Sequence, residues 1–257
     1  MSYNKYLDQT YGSATKKFRD AGGYVLSPSG TAKFFNAPDE WINDREGKIV
    51  FDGNTQTVLG TIVHASIEAY CAGDNILFDE VEEWAEAKFI GNDKVDLNIV
   101  LTQFTGMFEA WKASYISMYP VPDEREIDIS LDVEDNIRLA GKIDAYESDR
   151  NVVIDWKTCD SKPSKLKASH ELQLMMYVMG MIAKGKKVDT IRVCYIQRPT
   201  KTIGARVWVF DKEVTDDMLI KANYYLQLQS ESIRLYLENP KLRGLIFRPN
   251  PLAMWML

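Results

Sequence analysis

Residues 152–163 read VVIDWKTCDSKP. The first half has the β-branched and aromatic make-up of a buried strand, yet Asp155 and Lys157 interrupt it. Charge inside a strand is costly unless it is paired or holds a metal. Strand side chains alternate between faces, so Val153, Asp155 and Lys157 share one side and Ile154 and Trp156 the other. The pattern predicts a strand anchored in the core by one face, with its charges directed into a cleft on the other.

The segment before it, IRLAGKIDAYES, also reads as a strand, and SDRN at 148–151 as the turn between them. A turn centred between Asp149 and Arg150 sets Asp144 directly opposite Asp155, with Cβ atoms roughly 5 Å apart. Like charges facing each other destabilise a strand pair. A divalent cation between them removes that cost, and oxygen ligands suit Mg²⁺ or Mn²⁺. Lys157 then reaches a phosphate or a water beside the ion. The plainer alternative is that Lys157 neutralises one aspartate on a solvated face. A slip of one residue would turn Asp144 to the other side. Spacing alone leaves both readings open.

Outward from this hairpin, the hydrophobic period changes twice. Upstream, TVLGTIVHASIEAYCAG, FDEVEEWAEAKFI and LNIVLTQFTGMFEAWKASYISMY read as helices, the last closed by Pro120 and Pro122. REIDISLDVED alternates as a strand, with Ile127, Ile129, Leu131 and Val133 on one face. Downstream come a helix, SHELQLMMYVMGMIAKG, two strands, IRVCYIQRP and ARVWVFD, and a last helix capped by Thr215. Residues 1–55 mix short helical signals with loops such as LSPSGTAKFFNAPDEW. The expectation is a single α/β (α+β) domain over 1–257, a mixed central sheet flanked by helices. Its parts are an N-terminal helical region, a helical part at 55–120, a sheet core at 121–210 and a C-terminal helix at 215–238.

Composition excludes several classes. The 257 residues carry 31 basic and 37 acidic side chains, a net charge of -6, so the protein is not coated in basic surface. A local basic groove stays compatible with this, because carboxylates that bind cations make the total more acidic than the working site. Cys71, Cys159 and Cys194 are odd in number and widely spaced, which argues against a disulfide framework or a cysteine zinc site. The start, MSYNKYLDQTYG, has no apolar signal core, and the run LQLMMYVMGMIA falls short of the roughly 20 residues of a membrane span. A cytoplasmic protein is expected.

Two further pairs belong with the hairpin. His64, one of only two histidines, and Glu68 are four apart on one helical face. The zinc-protease pattern needs a second histidine and is absent. Gln173 and Tyr177 have the same spacing on a helix apolar nearly all round, so a buried polar pair is predicted to need partners.

In order along the chain stand G-x-x-x-H at Gly60–His64, GKID at Gly141–Asp144, VIDWKT at Val153–Thr158 and Q-x-x-x-Y at Gln173–Tyr177. This series resembles the RecB-like exonucleases of the PD-(D/E)XK superfamily. The resemblance covers residues 27–177 and extends loosely to the C-terminus. It implies a restriction-endonuclease-like core and a metal-dependent DNA nuclease, with exonuclease favoured over endonuclease. It assigns metal binding to His64, Asp144, Asp155 and the Trp156 carbonyl, with one or two Mg²⁺ or Mn²⁺ ions. Asp144 and Asp155 also count among the catalytic residues. Lys157 is assigned to the attacking water, and Gln173 and Tyr177 are placed beside the site. Glu68 and Glu126 are candidates for supporting roles around the metal. Lys162, Lys165, Lys167 and Arg198 are candidates for gripping DNA phosphates, with Arg125, Lys186 and Lys187 as further ones.

Many relatives hold an iron–sulfur cluster through one cysteine before an N-terminal proline and three near the C-terminus. Here Ala37 precedes Pro38, and FRPNPLAMWML has no cysteine, so no cluster is expected. Leu252, Trp255 and Leu257 are expected to pack where a cluster would brace the fold. No phosphate-binding loop of a helicase occurs. The implied setting is a stand-alone nuclease of DNA recombination, repair or phage DNA processing, located in the host cytoplasm if phage-encoded. DNA is its partner, and a recombination or single-strand-binding protein is a second candidate partner. The competing reading is a catalytically silent DNA-binding or structural protein on the same fold; a metal-dependent hydrolase of non-nucleic substrates is a third.

Overall fold

The computed structural model describes residues 13–47, 53–74 and 78–248. The expected packing of Leu252, Trp255 and Leu257 lies outside these residues, as does the N-terminal stretch 1–12. The chain runs α1 (Ser13–Asp20), β1 (Tyr24–Leu26), α2 (Pro28–Asn36), α3 (Pro38–Arg45), α4 (Thr55–Cys71), α5 (Phe78–Phe89), α6 (Leu97–Met118), β2 (Glu124–Glu134) and β3 (Ile137–Glu147). It continues with β4 (Val152–Cys159), α7 (Ala168–Ala183), β5 (Thr190–Gln197), β6 (Arg206–Glu213), α8 (Asp216–Glu238) and a short α9 (Arg243–Ile246).

Helix starts follow local chemistry. Asn54 accepts from the Thr57 N–H at 3.0 Å and so caps α4. Asp96 does the same for α6 through the Ile99 N–H, and Thr215 for α8 through the Met218 N–H. The stretch 26–41, read above as loop, is instead mostly α2 and α3. Ser27 accepts from the Gly30 N–H, and Pro28 and Pro38 each occupy a first helical turn, where proline's missing N–H costs nothing.

The six-stranded sheet is mixed, as expected, but it has one strand more than the pattern predicts. β1 is only three residues long, too short to show a period, and it pairs in parallel with residues 137–139 of β3. β2 runs antiparallel along β3 from end to end. Both edges of β3 are therefore used at its N-terminal end, one by β2 and the other by β1. β4 joins that second edge only at Ala145–Glu147. Between β1 and β4 lies a gap at residues 140–144, so the sheet forks at Asp144. β4 then pairs in parallel with β5, and β5 antiparallel with β6.

Helices cover both faces. α2, α3, α7 and α8 bury Phe34, Trp41, Leu174, Met176 and Leu226 against Ile129, Ile143, Val153 and Tyr195. α4, α5 and α6 bury Ile62, Val81, Phe104 and Trp111 against Ala145, Ile154, Trp156 and Ile196. Val153 and the pair Ile154 and Trp156 thus serve opposite cores, the division the alternation predicts. The face that carries Asp155 is covered as well: Asp155 is 1% exposed. Among the described residues, no helix is long and apolar enough to cross a membrane.

Candidate active site

The β3–β4 ladder pairs Ala145 with Ile154, Tyr146 with Val153 and Glu147 with Val152. This is the register of a turn centred between Asp149 and Arg150. The ladder ends one step before Asp144 and Asp155. In its place the Trp156 N–H donates to Asp144 Oδ2 at 2.7 Å, so a side-chain carboxylate does the work of a backbone acceptor. A strand residue's N–H and C=O leave the chain on the same side. The Trp156 carbonyl therefore also points toward the fork.

β3 turns over at this point. Leu139 and Ile143 face one core, whereas Ala145 faces the other, a break in the alternation. The partner strand bends to match. β2 pairs Arg125 with Ala145 and Ile127 with Ile143, and between them Glu126 has φ +47°, a left-handed backbone rare outside glycine.

Side chains from five elements meet here, Asp144 being that of β3. From α4, His64 Nδ1 lies 3.6 Å from Asp144 Oδ2. Gly60, one turn earlier, lies against β4: a Cβ there would make ordinary contact with Thr158 Oγ1 at 3.5 Å. From β4, the Lys157 ammonium donates to Asp155 Oδ1 at 2.9 Å and lies 2.8 Å from Oδ2. Only the first contact has hydrogen-bond geometry, so Oδ2 is buried without a hydrogen bond. From α7, Gln173 Nε2 donates to Asp155 Oδ1 at 3.2 Å and to the Tyr177 hydroxyl at 2.9 Å. Gly141 leaves room for Pro28 beside that tyrosine: a Cβ there would meet the Pro28 ring at 2.8 Å and touch the Tyr177 ring at 3.4 Å. Glu126 of β2 is 3.4 Å from Lys142.

Ionisation follows from this crowding. Burial pushes the Asp155 carboxyl up, to about 6, with the Asp144 charge adding to it and Lys157 opposing. Burial also acts to raise Asp144, but His64, Lys157 and the Trp156 N–H outweigh it and hold that carboxyl below its ordinary value. Lys157 is held above its usual value by Asp155 and Asp144 against burial. His64 is raised in the same way by Asp144. Glu126 is pushed up to about 8 by burial, then by Asp144 and Glu68.

Among the described residues, no three His, Cys, Asp or Glu side chains converge into a ready-made cage. A hard ion of the Mg²⁺ type needs less. It keeps several waters and uses one or two carboxylates, with substrate phosphate completing its shell. The two aspartates, the unused Asp155 oxygen and the Trp156 carbonyl are donors of the right hardness, so the residues fit such an ion.

The remaining candidates divide into groups. Lys162, Lys167 and Arg198 lie just beyond β4: Lys162 stacks 4.4 Å over the Trp208 ring, and Arg198 pairs with Asp160. Lys165 lines a groove nearby with Lys167 and Ser169. Lys186 and Lys187 stand at the opposite end of β4, paired with Glu124 and Asp189. Arg125 donates to the Pro122 carbonyl beneath β2. The sequence reading missed His170 and Tyr195. Tyr195 is the in-register neighbour of Lys157, and His170 Nδ1 lies 2.8 Å from its hydroxyl. The available signal was the spacing of His170, Gln173 and Tyr177, which places all three on one helical face.

Two acidic groups thus meet at a sheet fork, with a lysine two residues along the strand. The chain belongs to the PD-(D/E)XK nuclease superfamily, whose family model matches residues 25–251. No curated protein matches. Among solved structures, the chain is similar to a candidate exonuclease of Eubacterium rectale at 14% identity and a TM-score of 0.59, covering 90% of this chain and 88% of that one. At that identity the likeness shows the fold alone. LHK-Exo in complex with dAMP aligns at 13% identity and a TM-score of 0.35, over 69% of this chain and 92% of that one. SSO0001 aligns at 13% identity and 0.40, over 88% and 79%. Neither of the last two carries a structural argument.

Proposed function

We propose that this protein is a divalent-metal-dependent DNA nuclease that hydrolyses phosphodiester bonds, an exonuclease of the RecB-like branch. The observation that carries this is Asp155. Its carboxylate is buried, pushed toward the neutral form and left with an oxygen outside any hydrogen bond, beside a lysine and a second aspartate. A protein shaped only for stability gains nothing from such an arrangement.

Asp144 and Asp155 would hold the ion, aided by His64 and the Trp156 carbonyl. Mg²⁺ or Mn²⁺ bound there supplies positive charge to polarise the phosphate and lower the pKa of a bound water. The chain's own residues do the rest. Lys157 holds the attacking water or the negative charge that develops on the phosphate. Gln173, fixed by Tyr177, keeps the Asp155 carboxylate aligned. The Trp156 N–H and His64 fix Asp144. Glu68 and Glu126 add negative charge around the ion. Lys162, Lys165, Lys167 and Arg198 grip the DNA backbone, which gives affinity without sequence preference. The exonuclease assignment and a role in recombination, repair or phage DNA processing rest on the four ordered motifs.

The test is incubation of linear duplex and single-stranded DNA with Mg²⁺, Mn²⁺ or EDTA. Cleavage is expected only with metal. Lys157→Ala and Asp155→Ala are each expected to slow it about 10³-fold or more. Equal activity in EDTA, or in either variant, would sink the reading. Resistance of closed circular DNA separates exonuclease from endonuclease.

A further inference from the structure

Tyr195 is fully buried. Its hydroxyl oxygen accepts from the backbone N–H of Lys167 at 3.2 Å and lies 2.8 Å from His170 Nδ1. A phenol has one proton to give. Among the described residues, His170 Nδ1 is the only acceptor recorded for it. Were Nδ1 to carry the proton instead, a buried O–H would be left without an acceptor, which is costly. The balance therefore makes Tyr195 the donor and His170 Nδ1 the acceptor. The ring proton then sits on Nε2, and no hydrogen bond engages that nitrogen among the described residues.

The surroundings give this donor a use. His170 is partly exposed and sits one turn before Gln173 on the same face of α7. Tyr195 is the in-register neighbour of Lys157, whose side chain is 22% exposed. The Lys157 and Lys167 charges both act on the imidazole and, with burial, keep it neutral, its pKa pushed down to about 4. A neutral N–H donor under the influence of two ammonium groups suits an anion with several acceptor oxygens.

We propose that His170 contacts a non-bridging phosphate oxygen of the bound nucleic-acid strand through Nε2–H, and that Tyr195 is the positioning residue that locks this tautomer. The proposal rests on the nuclease reading for the identity of its ligand. A neutral donor releases no counterion, so it adds affinity without adding salt dependence, unlike the neighbouring lysines.

The experiment measures binding of linear DNA in EDTA, where no turnover occurs, across a salt series. His170→Ala is expected to weaken binding about tenfold and to leave the slope of log Kd against log salt as in the wild type. Lys167→Ala is expected to lower that slope by roughly 0.7–0.9. His170→Gln, which keeps a donor, is expected to recover most of the affinity. Imidazole ¹⁵N shifts, simple to assign with two histidines in the chain, are expected to report the Nε2–H form, and a tautomer mixture in Tyr195→Phe. Unchanged binding in His170→Ala, a slope that falls as it does for a lysine, or an Nδ1–H ring in the wild type would each overturn the proposal. None of these readouts needs cleavage. A wild type that binds DNA but never cuts it would therefore overturn the nuclease reading and leave the His170 contact to be judged separately.

Discussion

Two buried charge clusters are built on the same sheet, and they differ in make-up. On the α4–α6 face, Arg192 of β5 is 3% exposed and uses all three guanidinium nitrogens. It donates twice to Asp211, both at 2.8 Å, and to Glu147 at 2.7 Å and the Tyr115 hydroxyl at 3.2 Å. The Tyr119 ring lies 3.8 Å from it. Arg150, 3.7 Å from Glu147, brings the cluster to two cations and two anions. At the fork, Asp144, Asp155, Glu126 and Glu68 are four carboxylates influencing one another, with Lys157, Lys142 and the His64 imidazole among them, and burial pushes Asp155 and Glu126 toward the neutral form. The first cluster pairs two cations with two anions, although Glu147 Oε2, like Asp155 Oδ2, is buried without a hydrogen bond. The second crowds carboxylates together beside a left-handed glutamate and pushes two of them toward the neutral form. Under the function proposed above, the crowded carboxylates are the ones a cation would settle.

The contrast can be broken by mutation. Removing one partner of a buried ion cluster strands the others, so Arg192→Ala is expected to cost about 3–5 kcal/mol. That is about 10 °C in melting temperature, read by calorimetry, with the residual folded protein still cutting DNA. A loss below about 1 kcal/mol would show that the Arg192 cluster does not hold the fold.

A smaller effect concerns pH. Glu126 binds its proton more tightly when folded, with a pKa of about 8 against an ordinary 4.5. Between these values the folded protein holds a proton that the unfolded chain has released. Its stability is therefore fully present below pH 4.5 and is lost as pH rises through 8. With the carboxylate partly solvated, the loss is expected to be about 1–2 kcal/mol. Denaturant titrations of Glu126→Gln should lack this slope, and an unchanged slope would show that Glu126 is not its source.

The smallest effect is the sharpest contrast with Arg192. In EDTA, Asp155→Asn removes one carboxylate and keeps the shape. Asp144 still acts on the Lys157 ammonium this leaves, so the variant is expected to melt within about 1 kcal/mol of the wild type, even though cleavage is lost. A large destabilisation would mean that Asp155 serves the fold after all.

Part of this site was legible because its signals are local. Turn position and alternation put Asp144 near Asp155, and helical spacing paired Gln173 with Tyr177. Other features were not legible because they depend on distant partners. β1 is a three-residue segment that becomes a strand only through residues 137–139. Helices α2 and α3 were hidden in a stretch whose serine and prolines read equally well as loop. Nothing in KIDAY announces that β3 changes face at Asp144. Tyr195 looks like one more strand residue until His170 is folded over it.

By itself, then, the sequence determined the periods, the turn, the order of motifs and the chemical identity of the two aspartates and the lysine. All of these are fixed by neighbours within a few residues. Only the tertiary structure decided that the sheet forks at Asp144, that both faces of β4 are covered, and that one charge cluster pairs cations with anions while the other crowds carboxylates together. The reason is physical: burial and charge balance are sums over side chains brought together from every part of the chain. The same type of residue therefore becomes part of a matched ion cluster in one place and of a crowded, pKa-shifted one in another.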